Sequence, residues 1–338
     1  MRKTMRGKLK AQKQILIISA FSVLLFFSVG YAAFTTTVRL NAKGNVHPTV
    51  KITVDDLKAT ALTDSTANGL YLDNSEGIPR YIYKGSNSVN NFIKLKENGN
   101  DVLYRIYSLE DDGTVKVIRD EAVIQMNFDA DDATRRKGGY CTLNYCNAWA
   151  AMDNFVNGSF SGKVAGLNGN SGDSSIKEYI EGTYTSTLDD FSKIVTKTWN
   201  ISGTTYNRDT IENAIADEKK STWNGKISLL TASEYVRANT NTSSCGTLAN
   251  LYSNYNTCKS TNYLVKSSGW WLLSPYSSNH VGALYMDSYS YVSGVNVNYS
   301  YGVRPSFYLC SGLLYSGKGT SSEPYEIAGG SCAIQNEP

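Results

Sequence analysis

Histidine is nearly missing from this sequence: His47 and His280 are the only two among 338 residues. That scarcity takes away the usual general base and a common metal ligand from almost the whole chain. No two cysteines stand in CxxC spacing, so a zinc knuckle is disfavoured. No serine sits in a GxSxG turn, and no long internal repeat or low-complexity tract is present. A basic stripe is also lacking. The formal charge of +3 comes from the leading residues, because 33 Lys and Arg less the six before Ile15 leave 27, against 30 acids. A net −3 over the remainder argues against nucleic-acid binding.

What is present begins with a leader. Arg2, Lys3, Arg6, Lys8, Lys10 and Lys13 precede a run from Ile15 to Phe34 that holds 20 residues and no charge. A basic head before an apolar run keeps the N-terminus cytoplasmic while the rest crosses. Twenty helical residues span about 30 Å, one bilayer. Gly30 and Ala32 also offer a cleavage site after Ala32. Residues 1–34 are therefore expected to be a signal peptide or membrane anchor, with the rest of the chain outside the cytoplasm. If the leader is uncleaved, residues 15–34 hold the chain to the membrane.

Six cysteines follow: Cys141, Cys146, Cys245, Cys258, Cys310 and Cys332. Outside the cytoplasm such thiols oxidise, and the spacing suggests three local bridges, Cys141–Cys146, Cys245–Cys258 and Cys310–Cys332, among several formal connectivities.

Residues 35–58 read as extended and β-rich, and 59–77 as a small, polar loop or linker. The compact module is expected at 78–328, with 329–338 as a tail. DVLYRIYSL and TVKVIRDEAV flank Glu110-Asp111-Asp112-Gly113, a hairpin signal. Ile176, Tyr179 and Ile180 stand at helical spacing, with Ser174 or Ser175 available as a cap, and Asp209-Thr210-Ile211 begins a second short helix with Ile211, Ala214 and Ile215 on one face. KISLL (226–230) reads as a buried strand, and Thr231 with Glu234 forms a capping box for a short helix. From Gly269 the pattern is β. Leu284 and Met286 alternate with Tyr285 and Asp287, and Val295 and Val297 with Asn296 and Asn298, which predicts a sheet with one dry and one polar face.

Gly269-Trp270-Trp271-Leu272-Leu273-Ser274-Pro275 and Tyr301-Gly302-Val303-Arg304-Pro305 carry a resemblance. With KVIRDE (116–121), LLTASEY (229–235) and GTSSEPY (319–325), they resemble an uncharacterised bacterial surface-protein family known as a domain of unknown function. The chain departs from it at Leu273, where an Arg is common, and at Ser288-Tyr289-Ser290, where Ser-Gly or Asp-Gly often closes a hairpin. The WW…GVRP pattern is also similar to C-type-lectin-like folds, including formylglycine-generating enzymes. The fold implied is α+β, C-type-lectin-like and rich in antiparallel strands with short helices.

Tyr gives rigid contact area with a polar tip, and Ser and Asn give adaptable hydrogen bonds. Tyr285, Asp287, Tyr289, Tyr291, Asn296, Asn298 and Tyr299 are therefore the candidate ligand-binding residues, for an extracellular glycan or protein. Randomised adenines in AAC codons would give the same composition, which makes diversification an expectation to test. Trp270, Trp271, Arg304 and the cysteines read as structural. Asp129, Asp131 and Asp132 lack EF-hand spacing and read as a solvated loop, so no metal or cofactor is expected. No catalytic residue is expected. The alternatives are a surface-fibre subunit whose residues 34–58 add strands to neighbours, and an enzyme of the formylglycine-generating fold, which needs Cys310 and Cys332 free.

Overall fold

The computed structural model describes residues 50–63, 66–132, 143–150, 154–156, 159–161 and 173–332, with 154–156 and 159–161 as backbone alone. The expected leader at 1–34 lies outside the described residues. Among the described residues no helix is long and apolar enough to cross a membrane.

Helix α1 (Val54–Lys58) is fixed by a capping box. The Thr53 hydroxyl accepts from Asp56 N, and Asp56 accepts from Thr53 N at 2.8 Å. Strands β1 (Gly69–Asp73), β2 (Arg80–Lys84), β3 (Phe92–Glu97), β4 (Asn100–Leu109) and β5 (Val115–Arg119) follow. The β4–β5 turn is the predicted one: Gly113 takes φ 79° and donates its N–H to Glu110 O. Next come β6 (Ile124–Asn127), the small hairpin β7 (Asn154–Val156) and β8 (Ser159–Ser161), and α2 (Ser175–Tyr179), capped by Ser174. Strands β9 (Ile194–Val195) and β10 (Lys197–Asn200) lead to α3 (Ile211–Glu218), capped by Thr210. Then come β11 (Thr222–Gly225), β12 (Ile227–Ser228) and α4 (Ala232–Arg237), with its capping box between Thr231 and Glu234. Three short helices, α5 (Thr242–Cys245), α6 (Leu248–Ser253) and α7 (Tyr255–Cys258), precede the closing strands. These are β13 (Trp270–Pro275), β14 (Gly282–Met286), β15 (Val292–Asn296), β16 (Ser300–Val303), β17 (Ser306–Leu309), β18 (Leu313–Ser316) and β19 (Glu326–Gly330).

The fold is mixed α+β and rich in antiparallel strands. An eight-stranded sheet runs β1-β2-β4-β5-β17-β12, with β3 beside β4 and β9 beside β17. A five-stranded sheet runs β15-β14-β13-β16-β6, antiparallel except between β13 and β16. Helix α4 ties the two sheets together. Tyr107 of β4 donates to Glu234 O, Tyr235 donates to Ser290 O beyond β14, and Leu273 N of β13 donates to Leu230 O at 2.8 Å. The core is continuous across these contacts, from Ile82, Ile106 and Val117 to Trp270, Leu284 and Val292.

Two expected boundaries are not breaks in the fold. The compact unit starts at Val50, Ile52 pairs with Tyr315, and VDDL is helical rather than extended, with Val54 and Leu57 buried. Within the expected linker, β1 pairs with β2 over five residues and buries Leu70 and Tyr71. Local polarity concealed this, because β1 needs β2 alongside to bury anything. At the other end β19 runs past residue 328, and Cys332 is bridged to Cys310. Residues 35–49 and 333–338 lie outside the described residues. Cys245–Cys258 is a bridge as expected. Cys146 is also disulfide-bonded, and its expected partner Cys141 lies outside the described residues.

Candidate binding surface

The five-stranded sheet hangs on the WW pair at its centre. All six residues of β13 are buried, and the two indoles face opposite ways, as neighbours on a strand must. Trp270 packs edge-on against Tyr235 at 6.0 Å and under the Arg304 guanidinium at 4.6 Å. Arg304 is wholly buried and donates to Arg119 O at 3.0 Å and Leu264 O at 2.9 Å, so it pins the end of β5 to the loop before β13. Burial pushes its guanidinium down to about 10, and it stays charged at neutral pH. Trp271 packs on Phe128, Tyr285 and Tyr301, and its N–H donates to Met126 O at 2.8 Å.

The seven predicted ligand-binding residues do not share one face. Tyr285 is half-buried, tilted on Tyr301 with centroids 4.4 Å apart, and its hydroxyl donates to Asp287 at 3.3 Å. Burial, with Tyr301 and Asp287 beside it, pushes that phenol well up. The side predicted to be polar and wet is therefore largely aromatic packing here. Asp287 is a turn residue: its carboxylate accepts from Tyr289 N at 2.6 Å and its carbonyl from Ser290 N at 3.0 Å. Asn296 holds the turn at the far end of β15, accepting from Asn298 N at 3.3 Å. The Asn298 carbonyl accepts from the Asn127 side chain, and Tyr299 is exposed beside that turn. A five-residue strand separates the two turns by roughly 16 Å.

Tyr289 and Tyr291 belong to a different and larger assembly. Tyr289 lies 6.1 Å from Tyr255, Tyr255 lies 6.2 Å from Tyr291, and Tyr291 lies 5.2 Å from Tyr252. Tyr252 continues to Tyr206 at 6.3 Å, and Tyr206 to Tyr276 at 5.5 Å. Six rings thus run in one unbroken string, and Tyr252 and Tyr289 are more than half exposed. Its parts come from the loop before α3, from α6 and α7, from the β13–β14 connection and from the β14–β15 turn. Gly294 makes room for it: a Cβ there would stand 2.9 Å from the Tyr276 ring. The Cys245–Cys258 bridge joins α5 to α7 and so braces the helices that carry Tyr252 and Tyr255.

Tyr206, Tyr252 and Tyr255 fall outside the predicted set. The only local signal was Tyr252 and Tyr255 three apart near the end of a helical stretch, and nothing local shows that they face β15. The turn at Ser288-Tyr289-Ser290 does form, because Ser290 adopts φ 86° itself. Its hydroxyl donates to Tyr255 O at 2.8 Å and its carbonyl accepts from Tyr235, which fixes it from both sides.

Asp129 also departs from expectation. It is fully buried and accepts from Cys146 N at 2.7 Å and Ser175 N at 3.1 Å, so it ties loops together rather than being solvated. Asp131 accepts from Asn144 at 3.1 Å. Among the described residues no cluster of His, Cys, Asp and Glu could hold a metal ion.

No curated protein and no solved structure matches this chain. Residues 153–311, a little under half of the sequence, match the family model described as domain of unknown function DUF6273, and that match takes in all six rings of the tyrosine string.

Proposed function

We propose that this chain is an exported binding module whose tyrosine string engages an extracellular macromolecule. The observation that carries the reading is the run of six contacting rings from Tyr276 to Tyr289, two of them largely exposed. Rigid tyrosines with a polar tip lose little entropy on binding and offer both apolar area and hydrogen bonds. The geometry favours a protein over a polysaccharide. The Tyr252–Tyr291, Tyr255–Tyr289 and Tyr255–Tyr291 pairs meet at 77°, 81° and 73°, so rings alternate edge and face instead of forming a flat platform. Basic residues 2–13 and the apolar run 15–34 support export and cell-surface placement. The short-helix, hairpin-rich α+β build supports the C-type-lectin-like reading of the fold.

Neither alternative gains from a specific observation. Ile52 already pairs within its own chain and 54–58 is helical, which takes those residues away from strand donation. Cys310 is bridged to Cys332, which takes both thiols away from a formylglycine-type site.

The test is a binding screen of the full-length chain against arrays of extracellular proteins and glycans. A captured protein should lose about tenfold or more in affinity with Tyr252→Ala or Tyr289→Ala. Tyr285→Ala, on the other aromatic cluster, should leave the affinity within about twofold. Binding that ignores Tyr252 and Tyr289 refutes the assignment, and glycan-only capture replaces the protein reading.

A further inference from the structure

A cavity of about 200 Å³ lies apart from the tyrosine string, between the turn before β2, β5, β10, α4 and β17. Its charged lining is Arg80, Lys116, Lys219, Arg237, Glu76 and Glu234, four cations against two carboxylates. Two further acids balance the cluster without lining the cavity: Glu110, 3.4 Å from Arg80, and Asp73, 3.5 Å from Arg237. Glu76 is held by Arg237 at 2.6 Å, Arg80 at 3.1 Å and Lys219 at 3.3 Å. Lys116 pairs with Glu234 while 98% of its side chain is out of reach of water, given a 2% exposure. Its ammonium lies 4.6 Å from the Trp199 ring centroid and 5.1 Å from that of Tyr308.

Such an array is an expensive way to hold a fold together. Burying ion pairs costs desolvation that apolar side chains of similar volume avoid, and clusters of this kind gather at functional sites. Buried Arg237 Nε stands without an acceptor among the described residues, and Arg80 Nε faces Glu110 at 3.4 Å. Burial pulls the Lys116 ammonium down, with Glu234 opposing. Thr198, Asn200, Thr231 and Ser233 add hydroxyl and amide groups to the lining. Drug-sized ligands occupy pockets of about 300–1,000 Å³, so this cavity admits something no larger than one sugar.

We propose that the cavity binds a small hydroxylated oxyanion, a sugar acid or a sugar phosphate. Its anionic group meets the cation-rich wall of Arg80, Lys116, Arg237 and Lys219, and its hydroxyls meet Thr198, Asn200 and Glu234. The site stands independently of the tyrosine string, since the two share no residue.

Isothermal titration of the full-length chain with glucuronate, glucose 1-phosphate, glucose and inorganic phosphate tests this. Saturable one-site binding of glucuronate or glucose 1-phosphate is expected, with neutral glucose silent. Lys219 is the variant of choice because its side chain is 38% exposed at the rim and its loss leaves the buried pairs in place. Lys219→Ala should weaken binding about tenfold and Lys219→Arg should restore it. Silence toward both sugar oxyanions overturns the proposal. So does glucose binding equally well, inorganic phosphate binding as tightly as either sugar, or a Lys219→Ala variant that binds unchanged.

Discussion

Ser290 shows how a single residue serves two structures at once. A left-handed backbone conformation costs an L-residue roughly 1–2 kcal/mol, yet Ser290 holds φ 86° because its hydroxyl and carbonyl are both bonded. Ser290→Gly should therefore stay within about 1 kcal/mol of the parent, relief of the backbone offsetting the lost hydroxyl bond. Ser290→Val removes the bond and adds a branched Cβ, and should cost about 2–4 kcal/mol. Urea unfolding of the two variants distinguishes these outcomes; equal losses in both would mean that the turn does not depend on Ser290's conformation.

At the scale of elements, α1 and the helix trio α5–α7 make the clearest predictions. Leu57 is 3% exposed, so Leu57→Ala should cost about 2–4 kcal/mol in denaturant unfolding, whereas a linker residue would cost almost nothing. The Cys245–Cys258 bridge closes a separation of 13 residues, a loop size for which chain entropy predicts about 3 kcal/mol. Replacing both cysteines by serine should lower stability by about 2–3 kcal/mol and weaken any binding that needs Tyr252. Stability that falls while binding holds would separate the bridge from the surface. These elements also mark what was legible beforehand. The α4 capping box, the β4–β5 turn, a serine cap at Ser174 or Ser175 and a helix start at 209–211 are readable because each depends on residues a few positions apart. Helix α1 reads as strand in sequence because its Thr53–Asp56 box lies inside a β-branched run, and β1 reads as loop because its partner supplies its burial. The tyrosine string joins residues from 206 to 291, and no local pattern encodes that meeting.

For the whole molecule, acid is the informative perturbation. Burial alone would raise the Glu76 carboxyl, but Arg237, then Arg80 and Lys219, outweigh it and hold it at about 2, below its ordinary 4.5. A depressed carboxyl contributes stability that is complete above about 4.5 and is lost as pH falls toward about 2. Glu218 works the other way. Among the described residues it forms no ion pair, accepting instead from Ser233 and Ser274, and burial raises its carboxyl above the ordinary value. Its contribution is present in acid and lost as pH rises, so Glu218→Gln should stabilise the protein at neutral pH. Glu76→Gln should destabilise it there and flatten the acid limb. Urea midpoints from pH about 7 to about 2 check both signs, and a Glu76→Gln curve parallel to the parent's would contradict the first.

The bridge between Ile52 and Tyr315 has a mechanical meaning. Two backbone hydrogen bonds, Ile52 N to Tyr315 O at 2.7 Å and Tyr315 N to Ile52 O at 2.8 Å, fasten the entering chain to β18, which itself pairs with β19 near the other end of the fold. A pull arriving at Val50 is borne first by those two bonds and then by α1. Neither Ile52 nor Tyr315 belongs to the tyrosine string. If the proposed export leaves the module held by its leading residues, those two bonds would be loaded before either large sheet.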